Sequence, residues 1–190
     1  IARAGALGMA SLAVTDHGVM YGVIEFYQAA MAAGIKPIIG CEVYVAQGSR
    51  FSRDVAAKNN YHLLLLARNQ VGYQNLIQLT SKAHLEGFYY KPKVDRELLE
   101  QYHEGLVALT ACVKGEVPQL ILSGRLPEAK QAARWYRQIF DDFYLEIQRH
   151  PMPELEVINQ ALVAMSVELD IPLVATNDVH YINREDAAAH

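Results

Sequence analysis

The sequence has 190 residues, 52% of them hydrophobic and 20% charged, with a formal net charge of −4. That is enough chain for one sizeable core and one ordinary domain, its balance is that of a soluble globular protein, and it leaves no basic footprint for nucleic acid at the level of the whole chain. No apolar run approaches the roughly 18 residues of a membrane span, and the two cysteines, Cys41 and Cys112, make no disulfide framework, so a reducing cytoplasm is the expected compartment.

The chain opens at Ile1 directly into a helical pattern, from which no secretory signal is expected. Residues 1–7 read as a short helix ended by Gly8. Residues 12–15 read as a strand closing on Asp16-His17-Gly18. Residues 21–33 carry apolar side chains at helical spacing and stop at Gly34. Residues 35–45 are β-rich and hold Glu42 inside an apolar run. Residues 47–60 are polar and read as a surface loop. Residues 61–67 form a nearly continuous apolar strand, as when both faces are covered, with His62 at its start. Residues 72–84 predict a helix, and 87–94, with Phe88-Tyr89-Tyr90-Lys91-Pro92-Lys93, a loop. Asp95 is placed to cap a short helix through Gln101. Residues 106–111 predict a strand followed by Cys112. Helices follow at 115–122 and 127–140, broken at Ser123-Gly124. Residues 144–148 predict a strand that ends before Arg149 and His150. A long helix covers 153–169, and the last clear strand, 172–176, leads into Asn177-Asp178-Val179-His180. Another helix starts at Arg184.

Five or six strand–helix units in a row predict a parallel sheet rolled into a barrel, in preference to an open doubly wound sheet. The units belong to one domain spanning 1–190. A complete barrel usually needs about 250 residues. The expectation is therefore a TIM-like barrel truncated at both ends, short of its first strand and its last piece.

His17, Glu42, His62, Cys112, Asp178 and His180 fall at or near strand ends that a barrel gathers at one rim. Imidazole is the commonest transition-metal ligand. A carboxylate in an apolar strand, such as Glu42, must be paired or bound to a metal. Cys41, its neighbour, faces the other way and reads as core. Asp178 and His180, two apart in extended backbone, would project to one face. Each signal has a plainer reading by itself. Asp16, Asn177 and Asp178 suit turn caps, His62 a satisfied core histidine, and Cys112 a small buried hydrophobe. Together they favour a metal site. Nitrogen, oxygen and one sulfur donor suit zinc, manganese or iron better than magnesium or calcium. Six ligands exceed one tetrahedral ion, which implies a cluster of two or three. Ions about 3.5–4 Å apart suit phosphoester hydrolysis. The nucleophile is then metal-bound water, with no side-chain nucleophile. Asp16 is a candidate to orient a ligating ring. Arg149, His150 and Lys114 are candidates to meet phosphate oxygens.

Five stretches carry a resemblance. They are Leu12-Ala13-Val14-Thr15-Asp16-His17-Gly18, the run from Gly34 to Tyr44 around Gly40-Cys41-Glu42, Tyr61-His62-Leu63-Leu64-Leu65-Leu66-Ala67, Gly87-Phe88-Tyr89-Tyr90-Lys91-Pro92, and Thr176-Asn177-Asp178-Val179-His180-Tyr181. With these, essentially the whole chain resembles the polymerase-and-histidinol-phosphatase (PHP) domain of bacterial DNA polymerase III alpha subunits. The resemblance implies a distorted (β/α)7 barrel with up to three metal ions at its rim. The family's ligands map onto His17, Glu42, His62, Cys112, Asp178 and His180, and three more, a His-x-His pair and an Asp, are expected before Ile1. It also implies a place in DNA replication, within a DNA-directed DNA polymerase (a nucleotidyltransferase) whose polymerising site lies in another domain. The activity implied is a metal-dependent 3′–5′ exonuclease, with DNA and the polymerase's other domains as partners. Two alternatives stand beside it. One is a catalytically silent module that stabilises the polymerase and contacts a separate proofreading exonuclease subunit. The other is a stand-alone histidinol-phosphatase-like phosphoesterase, against which the Phe88–Pro92 stretch argues.

Overall fold

The computed structural model describes residues 1–55 and 58–188. The elements run α1 (Ala2–Ala6), β1 (Ser11–Val14), α2 (Val23–Ala32), β2 (Lys36–Ala46), β3 (Asn60–Ala67), α3 (Gln70–Leu85), β4 (Phe88–Tyr89), β5 (Lys91–Val94), α4 (Arg96–Gln101), β6 (Leu106–Leu109), α5 (Glu116–Leu122), α6 (Leu126–Ile139), β7 (Asp142–Gln148), α7 (Pro153–Leu169) and β8 (Leu173–Thr176), with a 3-10 turn at Arg184–Ala188. Among the described residues no helix is long and apolar enough to cross a membrane.

All eight strands join one sheet in the order β4-β5-β2-β3-β6-β7-β8, with β1 alongside the first half of β2. The sheet is mixed, which corrects the expectation of a parallel one. β3 lies antiparallel to both β2 and β6, whereas β1–β2, β2–β5, β6–β7 and β7–β8 are parallel. The reason is the connection. A parallel return needs a crossover of a dozen or more residues, usually a helix. The polar stretch between β2 and β3 supplies no α-helix among the described residues, so β3 comes straight back. Residues 87–94 are a second correction. They form the β4–β5 hairpin, not a loop: Tyr90 turns in the left-handed region (φ 61°), and β5 adds to β2 at Tyr44 and Val45.

Alternation along β2 divides two environments. Cys41, Val43 and Val45 are fully buried against the helical layer, together with Leu63, Leu65, Leu76, Leu79, Leu98 and Leu145. Each fully buried leucine of this set contributes about 1.5–3 kcal/mol relative to exposure. Glu42 and Tyr44 point to the other face, the hollow of the sheet. The sheet curls around that hollow, since His17 beyond β1 and Asp178 beyond β8 line one cavity although they follow strands far apart in the sheet. α3 packs close to the sheet's lower edge because Gly72 has no side chain: a Cβ there would lie 1.8 Å from the Gly105 carbonyl oxygen. Asp95 caps α4 as predicted, accepting from the Leu98 N–H at 3.2 Å.

Candidate metal centre

Three pieces of backbone bring the candidate ligands to one rim. The chain beyond β1 keeps company with β2: the Glu42 N–H donates to the Asp16 carbonyl at 3.1 Å, and the Gly18 N–H donates to the Glu42 carbonyl at 2.9 Å. His17 and Glu42 are thereby bridge partners with side chains on one face. On the other edge of β2, His62 lies opposite Tyr44 and diagonal to Glu42, a spacing that long side chains span. His62 is at the start of its strand, and only because β3 runs backwards does that start lie at the rim where β2 ends. Finally, the turn after β6 closes against β3, with the His62 N–H donating to the Lys114 carbonyl at 3.0 Å. Ala111 is left-handed (φ 61°) and swings Cys112 inward. Gly115 lets the turn close, since a Cβ there would sit 2.0 Å from the Thr110 carbonyl oxygen.

The donors meet around Glu42. Its Oε1 lies 2.5 Å from His62 Nδ1 and its Oε2 3.5 Å from His17 Nε2. Cys112 Sγ stands 3.6 Å from Glu42 Oε1 and 3.8 Å from His62 Nδ1. Asp178 and His180 line the same cavity of about 190 Å³ with His17, His62 and Cys112. The His17 and His180 ring centres are 6.1 Å apart. Asp178 and His180 reach it by a route other than the extended one expected. β8 ends at Thr176, Asp178 turns left-handed (φ 47°), and His180 Nδ1 folds back to 2.8 Å from the Asp178 carbonyl oxygen.

The remaining candidates are spread. His150 lines the cavity. Arg149 lies in a neighbouring groove that His150 also borders. The Asp16 carboxylate turns toward Gly22 at the start of α2, and its carbonyl accepts from the Cys41 thiol at 3.3 Å. Lys114 stands at the mouth of the site.

Burial pushes the Glu42 carboxyl up, but the His62 hydrogen bond and the neighbouring His17 outweigh it, and the group ends below the ordinary carboxylate range. Burial, aided by the Glu42 charge, pushes the Cys112 thiol up to about 12. A cation at this point reverses that balance, because a coordinating thiol is deprotonated outright. The donor set fits such an ion. Two donors each about 2.0–2.3 Å from one tetrahedral ion stand roughly 3.3–3.8 Å apart. The His17–Glu42 and Cys112–Glu42 separations, 3.5 and 3.6 Å, fall in that range, whereas His62 Nδ1 and Glu42 Oε1, 2.5 Å apart, are joined by a direct hydrogen bond.

Sequence reasoning missed a polar group beneath the site. Glu146, 4% exposed, accepts from Gln148 Nε2 at 3.0 Å and from the Thr176 hydroxyl, while its second oxygen is buried without a partner. The signal was present: Glu146 and Gln148 interrupt an apolar strand in the way Glu42 does. Burial raises the Glu146 carboxyl, hydrogen bonds from Thr176 and Gln148 oppose this, and the charges of Glu42 and Asp178 add to it. An acid raised on folding favours the native state while protonated, and that stability is lost as pH climbs through the raised value. In the absence of divalent ions, Glu146→Gln is therefore expected to melt a few degrees above the parent at pH 8 and to converge with it toward pH 4. A parent that melts above the variant at pH 8 would refute this.

Comparison with known proteins agrees with the geometry. The family model described as "PHP domain" matches residues 1–150. The chain belongs to the PHP domain family. It is 50% identical over 192 aligned residues to the DNA polymerase III subunit alpha of Borreliella burgdorferi, covering 100% of this chain and 17% of that protein. The corresponding subunit of Treponema pallidum is 48% identical, covering 100% of this chain and 16% of its own length. The chain thus spans less than a fifth of these relatives. Among solved structures, a putative metal-dependent phosphoesterase from Bifidobacterium adolescentis superposes with a TM-score of 0.55 at 14% identity, over 95% of this chain and 81% of that one. An amidohydrolase from Chromobacterium violaceum superposes with a TM-score of 0.52 at 14% identity, over 97% and 81%. The fold is shared with both.

Proposed function

We propose that the chain is the PHP domain of a bacterial DNA polymerase III alpha subunit, acting in DNA replication in the cytoplasm, and that its centre hydrolyses phosphodiesters as a metal-dependent 3′–5′ exonuclease. The observation that carries this is the meeting of His17, His62 and Cys112 around the Glu42 carboxylate, with Asp178 and His180 on the same cavity. The similarity to alpha subunits over the full chain supports the polymerase setting. In this reading residues 1–190 form a single domain, and the curled sheet is part of a distorted (β/α)7 barrel.

The six residues would hold zinc, manganese or iron, up to three ions with the family's further ligands. Such ions supply Lewis acidity and lower the pKa of a water to the physiological range. The chain's own contribution is placement. Glu42 bridges the two imidazoles and keeps them turned into the cavity. His150 lines the centre's cavity and Arg149 the groove beside it, and both are offered as contacts for phosphate oxygens. Partners in this reading are DNA, the polymerase's other domains and a proofreading subunit.

The test is release of 3′ nucleotides from labelled single-stranded DNA by the chain and by the full-length polymerase, with Mn²⁺ or Zn²⁺. Asp178→Ala and His180→Ala are each expected to cut the rate on the order of 100-fold. An unchanged rate in both variants rejects the exonuclease. The silent-module reading draws support from Ile24, Tyr27 and Met31, which leave an exposed apolar stripe on α2. It predicts no release by the parent and lowered melting in the ligand variants.

A further inference from the structure

The cavity at the mouth of the site is larger than the metal centre needs. It measures about 920 Å³, at the upper end of the roughly 300–1,000 Å³ of ligand pockets. Its floor is His17, His62 and His180, shared with the proposed metal centre. Its walls carry Lys58, Lys91 and Lys114, and among the described residues no carboxylate lines it. That is an uneven distribution in a chain with 21 acidic against 17 basic residues. Elsewhere several cations are answered by carboxylates, among them Arg50, Arg68, Lys82, Arg96, Arg125 and Lys130. Among the described residues, no ion pair is formed by Lys58, Lys91 or Lys114. Two of the three rest over aromatic rings instead, Lys91 Nζ 5.4 Å from the Tyr44 ring centre and Lys58 Nζ 4.5 Å from that of Tyr90.

The three lysines come from three parts of the fold: the β2–β3 connection, the first residue of β5 and the turn after β6. They converge because β5 docks beside the end of β2 while β3 runs back along its other edge. Between them, Tyr44 and Tyr61 give the groove aromatic walls, and Asn60 and Gln119 give it uncharged hydrogen-bonding groups. Lysines spread along a groove lined with aromatic and amide side chains suit a chain of phosphates with bases between them. A small phosphomonoester would use one such cation and leave the others unanswered.

We propose that this groove is the track of a single-stranded DNA, its phosphodiester backbone on Lys58, Lys91 and Lys114 and its end delivered to His17, His62 and His180. Which end reaches the ions rests on the exonuclease reading; the binding of the strand does not. Lysine contacts are ionic and non-directional, so the groove tolerates any base sequence.

The experiment is fluorescence anisotropy of a labelled oligothymidylate of about twelve nucleotides with the chain, in EDTA, across a KCl series. Each lysine that neutralises a phosphate of a single strand contributes about 0.7 to the slope of log K against log salt. The triple variant Lys58→Gln/Lys91→Gln/Lys114→Gln is therefore expected to lose about 2 from that slope and at least tenfold in affinity at low salt. The triple arginine variant is expected to keep both. All three side chains are exposed, so a melting curve like the parent's is expected for each variant. An unchanged slope in the glutamine variant overturns the proposal, and so does equal loss in the arginine variant. EDTA keeps the two readings apart. Strand binding that survives there without any metal-dependent hydrolysis spares the groove and removes the exonuclease. Normal hydrolysis with an unchanged slope does the reverse.

Discussion

Glu42→Ala is expected to lower the melting temperature of the metal-free chain by roughly 4–16 °C and to abolish tight binding of Mn²⁺ or Zn²⁺. Glu42 is 6% exposed and His62 7%, and the carboxylate is the group on which His62 Nδ1, His17 Nε2 and Cys112 Sγ all lean. Removing it strands the buried imidazole and opens a void. A buried polar group without its partner costs about 1–3 kcal/mol, and a broken buried pair about 3–5. A net of about 2–4 kcal/mol translates to the stated range at 2–4 °C per kcal/mol for a chain of this size. The pH dependence has a definite sign. The Glu42 carboxyl is held below its ordinary value, so its contribution is complete above the ordinary carboxylate range and lost as pH falls through the depressed value. The gap between parent and variant is therefore widest near pH 7 and narrows on acidification below about 4. Glu42→Gln keeps the shape and loses the charge, so it should recover part of the stability and little of the metal binding. Melting curves in EDTA and calorimetric titration with Mn²⁺ read both. Parent-like melting together with undiminished metal binding in Glu42→Ala would remove Glu42 from the centre of the site.

Arg50→Ala is expected to cost about 3–5 kcal/mol, the loss associated with breaking a buried ion pair, or roughly 6–20 °C in melting temperature. Arg50 is 7% exposed and holds three carboxylates at once. Its Nη1 donates to both Asp95 oxygens at 3.0 and 3.2 Å and to Glu97 at 2.9 Å, and its Nε donates to Glu86 at 2.8 Å. Its backbone N–H donates to Asp95 as well, at 2.9 Å. The Asp95 arm dominates, because that carboxylate is 4% exposed and would be left as an uncompensated buried charge. Glu97 is largely exposed, and its arm is worth little. Arg50→Lys should rescue poorly, since an ammonium cannot reach three partners along fixed directions. The double variant Arg50→Ala/Asp95→Asn should recover much of the loss, because it removes the stranded charge. The consequence reaches the proposed DNA groove, as Arg50 ties the β2–β3 connection, the stretch that carries Lys58, to the start of α4. Urea denaturation of the four proteins checks this, and a loss in Arg50→Ala under about 0.5 kcal/mol, the range of ordinary surface substitutions, would show that the cluster contributes nothing.

Legibility differed from residue to residue. Glu42 was readable because a charge in an apolar strand has few places to go. The Asp95 cap was readable because it is a local matter of one side chain and the N–H three residues on. His62 reaches the rim for a reason that no local pattern shows: β3 runs antiparallel to β2 and β6, which brings the start of β3 beside the end of β2. The hairpin at Phe88–Val94 was invisible because its two short strands owe their state to pairing with β2, not to their own propensity. The spacing of Asp178 and His180 is local, but the left-handed turn at Asp178 that aims them is not. Glu146 carries the same pattern as Glu42, a charge in an apolar strand, but its hydrogen-bond partner Thr176 lies 30 residues away on β8.

Local chemistry along the chain was sufficient for most of the alternation of helices and strands, the Asp95 cap and the residue types able to bind a metal. These follow from side-chain periodicity and hydrogen-bonding capacity over a few residues. Strand direction, the curl of the sheet and the convergence of His17, Glu42, His62 and Cys112 were decided only in three dimensions. Those depend on which edges pair and on the turns that link them, and both are settled by contacts between segments tens of residues apart, for which no local pattern exists.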